Sequence, residues 1–400
     1  MTAAYDLLAE TLAGRAIPID RVAEALGAQQ VETPSWAFGN SGTRFAVFAQ
    51  PGVPRTTLEK LEDAAQVHRY TGIAPSVALH IPWDRVADFT ALRESAEALG
   101  LRLGAINPNL FQDPDYKLGS VCHPDAAVRR KAIDQLLECV AIAAETGSQA
   151  ISLWLADGTN YPGQDSLSAR RERLVDSLRE VYDALPEPLE LLVEYKLYEP
   201  AFYATDLADW GSALTLCQEL GARARVLVDL GHHAQGVNIE QIVSLLQRLG
   251  RLGGFHFNDR KYGDDDLMVG SIDPFQLFRI FCELVASDAL EQGVRLTIDQ
   301  SHNIEPKIEA LIQSVVALQE AYAKALIVDR AALERAQRAG DTLEANRVLL
   351  DAYATDVRPL CARVRSDLGG AVDPVGEFRS SGYLERVVAS RATGRPAGWQ

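Results

Sequence analysis

Four short runs deliver ionisable groups at matching places: Glu194 and Lys196 in VEYK, Asp229 and His232 in VLVDLGHH, His256 in FHFN and Asp299 in LTIDQSH. Each run opens on apolar, β-prone residues. Side chains alternate along a strand, so Glu194 and Lys196 share a face. A charge on a buried face is expensive unless it is paired or bound to a metal. Glu194, Asp229, His256 and Asp299, drawn from four consecutive strands, make a closed ligand set. Oxygen-rich with one imidazole, it suits Mn²⁺, Mg²⁺ or Co²⁺ better than an ion that prefers thiolates. Taken singly, each residue has a second reading: Asp229 as a helix cap, His256 between Phe255 and Phe257 as a core histidine, and Lys196 as the partner of Glu194 in an ion pair. The set of four favours the metal.

The chain has only seven histidines, and two of them, His232 and His233, stand three and four residues after Asp229. If Asp229 holds one ion, His232 reaches a neighbouring second one. The loop NDRKYGDDDLMVGS then offers Asp264 and Asp266 to that ion, with Asp265 facing away. A run of three acids is otherwise a solvated loop. His233 has no ligand role in this scheme and falls to structural support. The earlier strand ends carry Trp36, His80, Trp83, Asn107, Phe111 and Trp154. Aromatic faces with a few polar handles suit stacking against a sugar, and aromatic core is the alternative.

The elements that must position these groups repeat one cadence, a short apolar run followed by a longer amphipathic helix. The runs are SVALHI, LRLGAIN, QAISLWL, ELLVEYK, ARVLVDL, GGFHFN and VRLTIDQ. An eighth, PSWAFG at 34–39, is crowded by proline and glycine. Strands buried on both faces and separated by helices require a parallel sheet, and eight such units close an α/β (β/α)8 TIM barrel. Its functional face is the carboxyl ends of the strands, where the ionisable groups fall. Residues 1–30 read as a helical arm, 31–325 as the barrel and 326–400 as a helical extension whose tail carries one short helix. The net charge of −16 disfavours nucleic acid as a partner. Five cysteines without CxxC spacing fit free thiols in a reducing compartment. No run approaches the length of a membrane span, so the expectation is a cytoplasmic protein.

The motifs VEYKLYEPAFYATDLADWG, VLVDLGHHAQGVNIE, GGFHFNDRKYGDDDLMVGSI and IDQSHNIEPKIEA resemble the bacterial L-rhamnose isomerases of broad sugar specificity, within the xylose isomerase-like barrels. The likeness runs from Trp36 to Lys324. It implies a homotetramer with two divalent ions per subunit, commonly manganese. Glu194, Asp229, His256 and Asp299 match the ligands of one site, and His232, Asp264 and Asp266 those of the other, with Glu194 bridging. Lys196 matches a lysine near the substrate carbonyl, His80, Trp36 and Trp154 match pocket residues, and Phe45 resembles an aromatic that covers a neighbouring subunit's pocket. The implied reaction interconverts L-rhamnose and L-rhamnulose, with tolerance for other aldoses. It would proceed by hydride shift or through an enediol, with His80 assisting ring opening and a water held on Asp299 shuttling the hydroxyl proton. A ketose 3-epimerase is the nearest rival, although epimerases use two glutamates where this chain has the shorter Asp299. A metal-dependent endonuclease would need a basic groove, and a sugar-binding module would need neither Lys196 nor two ions.

Overall fold

The computed structural model describes residues 2–40, 48–199, 203–301 and 304–391. Eight parallel strands close a barrel: β1 (Glu32–Pro34), β2 (Ser76–Ile81), β3 (Arg102–Pro108), β4 (Ala150–Trp154), β5 (Glu190–Glu194), β6 (Ala224–Asp229), β7 (Leu252–Phe257) and β8 (Arg295–Ile298). Each strand pairs with its sequence neighbours, and β1 pairs with β8 to complete the ring. The helices between them start and stop where local chemistry dictates. Helix Thr57–Thr71 opens on a capping box of Thr56 and Glu59 and ends at Gly72 in the left-handed region. Helix Ala126–Thr146 is capped by the Asp125 side chain and ends the same way at Gly147.

Alternation sorts the strand residues into two cores. Leu191, Val193, Val226, Val228, Phe255, Phe257, Leu296 and Ile298 face the surrounding helices. Ala78, Ala105, Ala150, Leu192 and Leu227 point into the barrel, where Trp36 packs on them. Three of these five are alanines, so the interior above them stays open. The same alternation turns His80, Ser152, Glu194, Asp229, His256 and Asp299 inward, one step nearer the carboxyl mouth.

Two expectations are corrected. The first strand covers Glu32–Pro34 and not 34–39, because Ser35–Phe38 winds into a helical turn after Pro34. Trp36 therefore hangs from a helix at the strand's carboxyl end and not from the strand. The tail carries two short helices, Pro374–Ser380 and Tyr383–Ser390, separated at Gly382, whose φ of 66° breaks the path. The amino-terminal helices Thr2–Ala13 and Ile19–Gly27 pack on helix Arg358–Asp367, so the two chain ends brace each other. A three-stranded antiparallel sheet of Gly158–Thr159, Tyr198–Glu199 and Tyr203–Thr205 sits beyond β4 and β5, unforeseen in the strand cadence. Among the described residues no single helix is long and apolar enough to cross a membrane.

Candidate metal centre

The inward residues of β5 to β8 meet in one buried cluster. Glu194 closes β5 and Asp229 closes β6, while His256 pairs in register with Asp229 across β6 and β7. Glu194 sets Oε1 at 3.1 Å from His232 Nδ1 and Oε2 at 3.2 Å from His256 Nδ1, and Asp299 Oδ2 lies 3.4 Å from the same His256 nitrogen. On the other side of Glu194, His232 Nε2 stands 3.2 Å from Asp264 Oδ1 and 4.0 Å from Asp229 Oδ1. Two ligand groups result, Glu194–Asp229–His256–Asp299 and Asp229–His232–Asp264, with all candidate ligand atoms of each within 4.8 Å of one another. Asp229 belongs to both groups, and Glu194 borders both.

The electrostatics of the cluster are unsettled by its own residues. Burial pushes Asp229 upward; His232 opposes that, but Glu194, Asp299 and Asp264 reinforce it, and the carboxyl sits at about 7. Asp299 is raised by burial and by Glu194, against His256. Glu194 goes the other way, since His256 and His232 outweigh its burial and hold it at about 2. His256 is raised to about 9, the Glu194 and Asp299 charges overcoming its burial. His232 is raised well above the usual imidazole range because Asp229 and Asp264 outweigh burial. The surrounding acids thus favour the protonated form of both imidazoles. Glu194 Oε1, Asp264 Oδ1 and His256 Nδ1 are buried without an aligned hydrogen bond. Carboxylates that face one another, with orphaned ligand atoms between them, fit divalent cations.

Lys196 lies at the edge of this cluster. Its Nζ donates to Asp264 at 2.6 Å, stands 2.9 Å from Glu199 and hangs 5.0 Å from the centre of the Trp154 ring. Burial would lower its pKa, but Asp264 and Glu199 outweigh that and keep it charged. A cavity of about 110 Å³ opens over the cluster, lined by Trp36, His80, Trp83, Phe111 and Trp154 on one side and Glu194, Lys196, His232, His256, Asp264, Asp266 and Asp299 on the other. His80 stacks on Trp83 with centroids 3.9 Å apart, and Phe111 tilts on Trp154 at 4.9 Å. Trp36 Nε1 donates to Asp299 Oδ1 at 2.8 Å, tying the aromatic wall to a candidate ligand. Full burial lowers His80 to about 3, so its imidazole is neutral near pH 7.

Asp266 is buried beside these groups and lines the cavity, but lies outside the two close ligand groups. It adopts a φ of 48°, and burial together with Asp264 raises its carboxyl. Asp265 faces away and caps its own loop by accepting from the Lys261, Tyr262 and Gly263 amides. Phe45 lies outside the described residues. Sequence reasoning missed Asn258, which donates to both oxygens of Asp229 at 3.0 and 3.1 Å, although its place directly after FHF was a usable signal. It also missed Glu199 and Asp84. The Asp84 carboxylate is fully buried and accepts from Ser35, from Lys60 at 2.6 Å and from the His80 amide at 2.7 Å. It thereby anchors the turn that carries Trp36 to the strand that carries His80.

A third acidic group, Cys122, Asp157 and Asp206, converges as closely. There the cation is already present: Arg170 donates to Asp206 at 2.7 Å, and Ser120 and Cys122 donate to Asp157. Such a network is satisfied from within.

Two relatives called probable sugar isomerases match nearly end to end. The one from Rhizobium meliloti (strain 1021) is 48% identical over 98% of this chain and 93% of its own length, and the one from Mesorhizobium japonicum is 47% identical over 97% and 92%. A xylose isomerase of Thermus thermophilus is 24% identical over 53% of this chain and 60% of its own. Among solved structures, an L-ribulose 3-epimerase superposes with a TM-score of 0.53 at 14% identity, covering 82% of this chain and 99% of that one, and shares the fold. Residues 62–297, spanning β2 to β8 of the closed barrel, match the family model directly, and the chain belongs to the xylose isomerase-like TIM barrel family.

Proposed function

We propose that this chain is a divalent-metal-dependent sugar isomerase that interconverts aldoses and ketoses, with L-rhamnose and L-rhamnulose as the preferred pair. The observation that carries the reading is the pair of adjoining acid–imidazole groups that meet at Asp229, with Lys196 and an aromatic wall on the same cavity. The names of the two end-to-end relatives support the isomerase class. Glu194, Asp229, His256 and Asp299 would hold one ion and His232, Asp264 and Asp266 the other, Mn²⁺ being the first choice and Co²⁺ or Mg²⁺ acceptable to the same donors. Bound there, the ions supply Lewis acidity to neighbouring oxygens of an open-chain sugar.

The chain's own residues do the rest. His80, neutral and walled by Trp36 and Trp83, accepts and returns a proton as the sugar ring opens. Trp36, Trp83, Phe111 and Trp154 cover apolar faces of the sugar and exclude water. The Lys196 ammonium donates to the carbonyl oxygen at C1 and stabilises the negative charge that develops on it. Hydrogen passes with its bonding pair from C2 to C1, the C2 hydroxyl gives up its proton, and a proton reaches O1. Asp299, at the cavity edge, receives and relays that proton.

The test is to strip the protein with EDTA, restore Mn²⁺, Co²⁺ or Mg²⁺, and follow ketose formation from a panel of aldoses beside epimerisation of ketoses. The reading requires metal-dependent ketose formation with L-rhamnose among the best substrates. Epimerisation at C3 without isomerisation would replace it.

A further inference from the structure

The adjacent pair His232–His233 divides its labour around one residue of the neighbouring strand. Tyr195 stands between Glu194 and Lys196, and alternation turns its ring away from the cavity into the outer core. Its hydroxyl meets His233 Nε2 at 2.6 Å, and both rings are buried. Its carbonyl meets His232 Nδ1 at 3.0 Å. Two residues on, the Leu197 N–H donates back to the His232 carbonyl at 3.2 Å. From the far side, Arg260 donates to the His233 carbonyl and, at 3.0 Å, to the Ala234 carbonyl. The loop that presents His232 is therefore gripped by its ring, its backbone and the ring of its neighbour.

We propose that Tyr195 and His233 form a positioning clamp for the second divalent-ion site: the Tyr195 carbonyl orients the His232 imidazole so that Nε2 faces Asp264, and the Tyr195 hydroxyl bond to His233 holds the loop in that register. A carbonyl that accepts from Nδ1 leaves Nε2 as the ring's ligand atom. Nε2 is the nitrogen that stands 3.2 Å from Asp264. The Glu194–Asp229–His256–Asp299 site takes none of its side chains from this loop beyond Asp229, whose two carboxylate oxygens both accept from Asn258, outside the loop. The clamp should therefore act on one site and spare the other. The inference rests on the metal assignment of the proposed function, but its test uses no sugar.

Metal-free protein, titrated with Mn²⁺ in a calorimeter, should show two classes of site. Tyr195→Phe, which removes one oxygen, and His233→Phe should each weaken the second class by about 10- to 100-fold, the usual range for losing a ligand's hydrogen-bonding partner. The first class should move by less than about 3-fold. The double variant should be no worse than either single one, because both break the same bond. His233→Gln keeps an amide within reach of the hydroxyl and should restore most of the affinity, which also covers a failure of His233→Phe to fold. A lower melting temperature with both affinities unchanged, equal weakening of both classes, or additive losses in the double variant would overturn the clamp, as would a single class of site in the unmodified protein. Two intact classes with the predicted pattern, in a protein that converts no aldose, would sink the proposed function and leave the clamp standing.

Discussion

Both mouths of the barrel carry inward charges, and they are treated in opposite ways. At the amino end Glu190 meets Arg295 at 2.5 Å and Arg225 at 3.3 Å. Glu32 accepts from the Ser76 hydroxyl at 2.7 Å, the Thr297 hydroxyl at 3.2 Å and the Ala105 amide at 3.3 Å. Gly104 makes room for that carboxylate, since a Cβ there would fall 1.7 Å from Glu32 Oε2. At the carboxyl end Glu194, Asp229, Asp264 and Asp299 face one another across two imidazoles, and ligand atoms are left without aligned hydrogen bonds. The carboxylates of the first set all find partners within the fold, whereas the second leaves Glu194 Oε1 and Asp264 Oδ1 buried without an aligned hydrogen bond. Buried charge alone does not mark a site; buried charge that its neighbours leave unsatisfied does.

The largest effect expected from breaking this contrast is on the carboxyl side. Glu194→Gln should abolish ketose formation and remove at least one Mn²⁺ from the binding stoichiometry, because Glu194 borders both ligand groups. Glu190→Gln, the same change in the same strand, should leave Mn²⁺ stoichiometry at its starting value and lower only thermal stability. A drop in Mn²⁺ binding from Glu190→Gln would erase the distinction between the two mouths.

Next in size is the response to metal. With free Mn²⁺ about 100-fold above its dissociation constant, each site adds about 2.7 kcal/mol of stability, visible as a rise in the melting temperature that EDTA reverses. Glu190→Gln should show the full rise, and Asp299→Asn a reduced one. Gly104→Ala should follow, costing about 1–3 kcal/mol by forcing the Glu32 carboxylate out of its cradle, with metal binding unchanged.

The subtlest expected effect is on protons. In the metal-free fold Asp229 is raised to about 7 and His256 to about 9. A group whose folded pKa is raised favours the fold while protonated. That contribution is complete below the unfolded pKa, near 3.8 for the aspartate and 6.5 for the histidine, and fades as pH climbs through the folded value. Metal-free protein should therefore lose stability between pH 6.5 and 9 through His256, while Mn²⁺ affinity rises over the same interval because binding expels those protons. Calorimetry in buffers of different ionisation enthalpy would count the protons released, and a pH-independent affinity would contradict the assignment.

Much of this was legible in the chain. The closed barrel follows from repeated apolar runs and helices, and alternation within ELLVEYK and ARVLVDL sends Glu194 and Asp229 to the same interior. What stayed hidden depends on contacts between elements. Pro34 ends β1 early, so Trp36 reaches the cavity from a helical turn that a run of β-prone residues conceals. The small sheet beyond β5 is built from segments of two and three residues, too short for any periodicity. Tyr195 packs in the outer core, and its grip on His233 appears only when β5 and the loop after β6 are side by side. Asp264 and Asp266 look equivalent in a run of three acids, but of the two it is Asp264 that falls within the close group with Asp229 and His232 and meets Lys196, while Asp266 lines the cavity outside that group.

The most direct test of the central claim is anomalous diffraction at the manganese edge from crystals grown with Mn²⁺ and L-rhamnose. Two peaks per chain are predicted, one enclosed by Glu194, Asp229, His256 and Asp299 and one beside His232, Asp264 and Asp266, with sugar oxygens between them and Lys196. Peaks elsewhere, or acids and imidazoles that stay paired with one another and hold no ion, would contradict it.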